Sequence, residues 1–170
     1  MITINQIKKA FFSLYKGIVN ERFSKQNWFS YRTEQKLLPC IRFFLLGYFE
    51  NTFEPEASAF NPYSNTGKGR FDFLIGDVAV EIAVRTPYCS SKKIEKCYNE
   101  DEIAKLSKYS GPSALVLFDF SDDGLTDAAL NEYTLLSLGK GVKRNSYSLL
   151  YYFKDNEVTP TVVRKNIKNR

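Results

Sequence analysis

Histidine is missing altogether from the 170 residues. With it go Ser-His-Asp and Cys-His nucleophilic catalysis and every zinc site built on imidazole. Hydrolytic chemistry is left to carboxylates, lysine, arginine, tyrosine or metals with oxygen ligands. Cysteine occurs at only three positions, Cys40, Cys89 and Cys97. An odd number at irregular spacing sets no disulfide framework and fits free thiols in a reducing compartment. Apolar runs stay far below the roughly 20 residues needed to cross a bilayer. No signal peptide opens the chain. A cytoplasmic protein with no membrane partner is therefore expected. Internal repeats and low-complexity blocks are also absent.

What is present describes a folded chain. Hydrophobic residues make up 44% and aromatics 15%, which excludes disorder as a general description. A length of 170 residues fits one domain, 1–170, large enough for a proper core. The net charge of +5 and pI near 9.0 favour a polyanionic partner.

The stretch Gly69–Arg85, GRFDFLIGDVAVEIAVR, carries the most information. Two apolar runs flank Gly76-Asp77, and glycine at the first of two loop positions signals a tight hairpin. A two-residue loop sets Ile75 against Val78, Phe73 against Val80 and Asp72 against Glu81. Alternation then gives one apolar face, Phe71, Phe73, Ile75, Val78, Val80, Ile82 and Val84. The other face carries Lys68, Arg70, Asp72, Leu74, Ala79, Glu81, Ala83 and Arg85. Opposed residues have Cβ atoms about 4.5–5.5 Å apart. Two carboxylates at that distance repel unless a cation lies beside them. A solvated cross-strand network of Asp72, Glu81, Arg70 and Arg85 satisfies the same charges. Glu81 within VAVEIAV is a poor fit to solvent, however, and this favours a metal or phosphate site.

Around this hairpin the chain reads in order. Ile4, Ile7, Phe11, Leu14, Tyr15 and Ile18 follow helical spacing and predict a core-packed N-terminal helix within 1–27. A second helix is predicted over 31–48, with Ser30 or Thr33 as cap, Pro39 inside the pattern, and Leu37, Leu38, Ile41, Phe44, Leu45 and Tyr48 inward. Glu34 falls in its first turn, where a carboxylate suits the helix dipole and equally suits a site. Residues 51–60 form a strand that Pro55 places toward an edge, and 61–67 a loop. After the hairpin, Lys92, Lys93 and Lys96 lie in a basic stretch open to solvent or to phosphates. Asn99 and Glu102 resemble a capping box for a helix over 99–109 with Ile103 and Leu106 inward. Residues 113–120, SALVLFDF, fit a strand buried on both faces, with Asp119 as a turn-former at its end. A helix over 126–138 closed by Gly139, a hairpin of 147–153 with 158–163, and a basic tail complete the chain.

The order from 31 to 120 is α-β-β-β-α-β, with an Asp closing on a Glu across a hairpin. This resembles the PD-(D/E)xK nuclease superfamily, the restriction-endonuclease-like fold. The resemblance implies an α/β (α+β) domain with a mixed central sheet. The N-terminal helix and the segment 126–170, a helix and a hairpin, are additions to that core. It implies a site of Glu34, Asp72 and Glu81 working as an endonuclease or exonuclease. Asp72 and Glu81 would share one Mg²⁺ or Mn²⁺, with the Ile82 carbonyl as a further ligand. The motif lysine falls on Ala83, which carries no charge. On the predicted register Arg85 or Arg70 stands in for it, with Lys68 opposite Arg85. Arginine stays protonated and suits charge stabilisation rather than general base work.

Two classes of function fit these residues. One is a metal-dependent nuclease acting on nucleic acid, DNA ahead of RNA, with Lys68, Lys92, Lys93 and Lys96 against the backbone. The other is a catalytically inactive nuclease-fold protein that binds nucleic acid or a protein partner, including a second copy of itself. A small assembly subunit with aromatic-rich ends is a third and weaker fit.

Overall fold

The protein is seen in a computed structural model that describes residues 1–19, 34–57, 70–85, 94–134, 145–154 and 161–167. Six strands make one mixed sheet: β1 (Phe53–Pro55), β2 (Phe73–Ile75), β3 (Val78–Arg85), β4 (Ser113–Asp119), β5 (Tyr147–Phe153) and β6 (Thr161–Ile167). Their order across the sheet is their order along the chain. β1, β2 and β3 pair antiparallel, β3, β4 and β5 run parallel, and β6 returns antiparallel on β5. The helices among the described residues are α1 (Ile4–Val19), α2 (Glu34–Phe49), α3 (Glu100–Lys108) and α4 (Asp127–Glu132).

Alternation along the strands sorts the core into two layers. Val78, Val80, Ile82 and Val84 of β3 join Val116, Phe118, Leu150 and Tyr152 on the face covered by α1 and α2. Ala79 and Ala83 join Leu115, Leu117, Leu149 and Tyr151 on the face covered by Ile103 and Leu106 of α3 and Leu130 of α4. All seven residues of β4 are buried, as a continuous apolar run requires of a strand with both faces covered. Pro55 ends β1, the edge strand, where a missing N–H costs least. Pro39 lies inside α2, and the helix runs on through it to Phe49.

The hairpin register is the one that the two-residue loop dictates: Ile75 with Val78, Leu74 with Ala79, Phe73 with Val80. Gly76 adopts φ +57° at the first loop position, and Asp77 is not in that region. This is the backbone of a II′ turn, in which glycine costs nothing.

Several sequence expectations are corrected. The face carrying Glu81 is not solvated, because α3 packs across it and leaves Glu81 1% exposed. Phe71 does not share a face with Phe73; it sits in the opposite layer, its ring edge-on to Tyr109. Asn99 makes no side-chain cap to α3. Its amide is drawn inward to Glu95 O at 3.0 Å and the Tyr133 hydroxyl at 3.3 Å. The final hairpin pairs β5 with Thr161–Ile167 rather than 158–163, so Arg164–Ile167 of the expected tail form strand. It also joins the main sheet through β5 on β4. The helix over 126–138 is described as Asp127–Glu132, with Thr126 Oγ1 accepting from Ala129 N–H at 3.2 Å. Residues 31–33, 58–67 and 135–139 lie outside the described residues.

Asp119 is fully buried and is a hub rather than a turn-former alone. Arg85 donates Nε to Oδ1 at 2.9 Å and Nη2 to Oδ2 at 2.6 Å. The Tyr151 hydroxyl donates to Oδ2 at 2.7 Å, and Ser121 Oγ to Oδ1 at 2.6 Å. Tyr15 donates to the Asp119 carbonyl, and Arg85 also to the carbonyl of Asp123. Burial, and then the Asp119 charge, pushes the Tyr15 and Tyr151 hydroxyls well above their ordinary range, so both stay donors. Removing one partner of a buried ion pair strands the other, at about 3–5 kcal/mol. Arg85→Met should therefore lower the unfolding free energy by about that amount in urea melts. A loss under about 1 kcal/mol would show that the hub does not hold these strands together.

Candidate functional site

The site forms where β2 stops. Its ladder with β3 ends at Phe73–Val80, and one more hydrogen-bonded pair would set Phe71 against Ile82. The chain bends at Asp72 instead. Phe71 N–H goes to Ala57 O at 3.2 Å, and Glu56 N–H reaches the Asp72 carbonyl at 2.9 Å. The Ile82 N–H that Phe71 abandons is taken by Asp72 Oδ2 at 2.9 Å. A strand N–H points within the sheet toward its neighbour, so the Asp72 carboxylate occupies the place vacated by β2. The Ile82 carbonyl points to the same side as its own N–H.

Glu81 projects from the next position onto the α3 face. It meets Lys105 of α3, whose Nζ lies 2.5 Å from Glu81 Oε1 and 3.2 Å from the carbonyl of Arg70. Ile103 and Leu106, the inward residues of α3, fix that helix over the strand. The Glu81–Lys105 contact is an ion pair by distance. Its angles leave Oε1 without a directed hydrogen bond. Burial, then the charge of Asp72, pushes the Glu81 carboxyl up to about 9, while the Lys105 ammonium pulls it back down. Hydrogen bonding with Asp72 acts in the upward direction as well. At neutral pH Glu81 is thus held toward its protonated form, with the Lys105 ammonium at contact distance.

The other residues singled out in the sequence are dispersed. Arg85 is committed to Asp119, four residues along β3 from Glu81 and so about 13 Å away at ~3.3 Å per residue. Arg70 points outward, 3.6 Å from Glu56 Oε2. Glu56 also holds Arg42 at 2.5 Å. Glu34 opens α2. Among the described residues no three Asp, Glu or Cys side chains gather into a metal-binding group. Lys96 pairs with Glu100 at 3.6 Å. Lys68, Lys92 and Lys93 lie outside the described residues, as does Cys89. Ala83 is buried in the layer beneath α3 and α4. Lys105 is the site residue that the sequence reading missed.

The donor set fits a hard divalent cation in kind. Two carboxylates interact, one with a buried oxygen lacking a directed hydrogen bond, and the Ile82 carbonyl points to the side of the strand that Asp72 occupies. No protein-family model, curated protein or solved structure matches the chain. Among the described residues no helix is long and apolar enough to cross a membrane.

Glu81 gives a direct pH test. In the unfolded chain it ionises near its ordinary 4.5, whereas the fold keeps it protonated up to about 9. Its contribution to stability is complete below the lower value and is lost as pH climbs to the upper one. In chelator, the unfolding free energy should therefore decline from pH 5 to pH 9 relative to Glu81→Gln. Urea melts at three pH values measure this. A pH slope that is the same in both proteins would show that Glu81 is not desolvated as described.

Proposed function

We propose that the chain is a divalent-metal-dependent nuclease that hydrolyses phosphodiester bonds in nucleic acid, with Asp72 and Glu81 as its metal ligands. The single observation that carries this reading is the acidic pair at the end of β2, a buried Glu81 beside a half-buried Asp72. One member is desolvated without a directed hydrogen bond, and a lysine ammonium stands beside it. An acid is costly to bury and is retained inside a core chiefly where it has a cation or a task. The order α2-β1-β2-β3-α3-β4 and the mixed sheet support a restriction-endonuclease-like core, with α1 and the β5–β6 pair as additions. The net charge of +5 supports a polyanionic substrate, DNA ahead of RNA, and the chain's composition a cytoplasmic setting.

Mg²⁺ or Mn²⁺, when bound, supplies a polarised phosphate and a water of lowered pKa. The chain's own part would be to hold that ion with Asp72, Glu81 and the Ile82 carbonyl. In hydrolysis a water oxygen bonds to phosphorus as the bond to the leaving sugar oxygen breaks. That oxygen takes up one proton from solvent, and the attacking water releases one. Asp72, tied to Ile82 N–H, is held in place for this; Glu81 must first give up its proton.

The absence of charge at buried Ala83 favours a second reading, a catalytically inactive protein of the same fold that binds nucleic acid or a protein partner. Cleavage of plasmid and single-stranded DNA with Mn²⁺ or Mg²⁺ decides between them. Asp72→Asn and Glu81→Gln should each lower cleavage at least about a hundredfold, since even groups behind metal ligands matter 10–100-fold. Mn²⁺ should raise the wild-type melting temperature and leave both variants unmoved. A wild type that cuts with neither ion, and whose melting temperature ignores both, leaves only the inactive reading.

A further inference from the structure

We infer that Lys105 is the catalytic cation of this site, delivered from helix α3 rather than from the strand that carries Glu81. The assignment rests on the nuclease reading and deepens it. Two other cations among the described residues are engaged elsewhere. Arg85 is locked in the Asp119 hub, and Arg70 turns out toward Glu56. Lys105 alone among the cations described in the structure contacts the acidic pair, 2.5 Å from Glu81 Oε1. Its other partner, the Arg70 carbonyl at 3.2 Å, anchors the ammonium without neutralising it. Its side chain is 27% exposed whereas that of Glu81 is 2%. The ammonium thus spans from the buried acid to the surface that a phosphodiester must approach. A compact charge on a flexible stem can leave Glu81 for a phosphate oxygen when a metal ion takes the carboxylate. There it offsets the negative charge that grows on phosphorus-bound oxygens and donates to the attacking water. Ala83 faces the same layer two residues beyond Glu81, so charge from the helix substitutes for charge from the strand.

The experiment compares wild type, Lys105→Ala, Lys105→Met, Asp72→Asn and the double variant Lys105→Ala with Ala83→Lys. Plasmid cleavage is assayed with Mn²⁺, and Mn²⁺ binding is measured separately by calorimetry. Both Lys105 variants should lose at least about a hundredfold in kcat, within the range for a positioned donor. Mn²⁺ binding should persist within about tenfold, which separates chemistry from metal holding. Ethylammonium added to Lys105→Ala should restore part of the rate, as filling a merely structural void does not. The double variant should also recover activity over Lys105→Ala if it folds; the amine rescue serves as the independent check if it does not. A wild type that cuts nothing overturns the nuclease reading and this assignment with it. A wild type that cuts and depends on Asp72, with Lys105→Ala and Lys105→Met within about threefold of it, overturns the assignment alone.

Discussion

The Arg85–Asp119 ion pair is the interaction on which the arrangement of the sheet depends. Asp119 ends β4 with no solvent to satisfy it, so its oxygens must be filled from inside. They are filled from β3 by Arg85, from β5 by Tyr151 and from the following loop by Ser121. α1 reaches the same residue through Tyr15. The three parallel strands therefore meet at one carboxylate, and the first helix at the main-chain carbonyl of the same residue. Apolar packing alone sets layers but is indifferent to small slips along a strand; a fully donor-matched acid is not. The rings of Phe11, Tyr15, Phe118 and Tyr152 pack together on the α1 face of the same strands.

Two positions on β3, its middle and its end, handle buried charge in opposite ways. At Arg85 every polar atom of Asp119 is met by a donor in good geometry. At Glu81 the acid is no more exposed, yet it has only an ammonium at the wrong angle and a second acid for company. A protein can neutralise such a group with a proton, as the raised Glu81 carboxyl indicates, or with a cation. The contrast within one strand separates a charge that stabilises the fold from one that the fold tolerates.

Much of this was legible in the sequence where the signal is local. Gly76-Asp77 between alternating apolar residues specified the β2–β3 register. SALVLFD specified a strand covered on both faces. Ile7, Phe11, Leu14, Tyr15 and Ile18 specified the buried stripe of α1. What was not legible depends on chain crossings. Phe71 changes layer because Tyr109 and Ala57 offer it partners that no spacing rule reveals. Asn99 abandons its cap for Glu95 and Tyr133 for the same reason. Lys105 sits in a helix whose inward residues were readable. Its alignment with Glu81, however, is set by how α3 crosses the parallel β3–β4 pair, which periodicity does not encode. Asp119 and Arg85 lie 34 residues apart and meet only because those strands are neighbours in parallel register.

Strand order that equals chain order also bears on assembly during synthesis. Each strand adds to an edge that already exists, and none has to be threaded between two that are paired. The sheet can therefore grow from the β1 side as the chain emerges, with the local β2–β3 hairpin costing little loop entropy. α1 is the exception. It precedes every strand of the sheet, yet Tyr15 bonds to Asp119, and Lys8 accepts from the hydroxyl of Tyr152, 144 residues later. Its apolar stripe has no finished seat until β5 has left the ribosome. Until then this amphipathic helix is a client in waiting, the segment whose shielding by a chaperone would matter most.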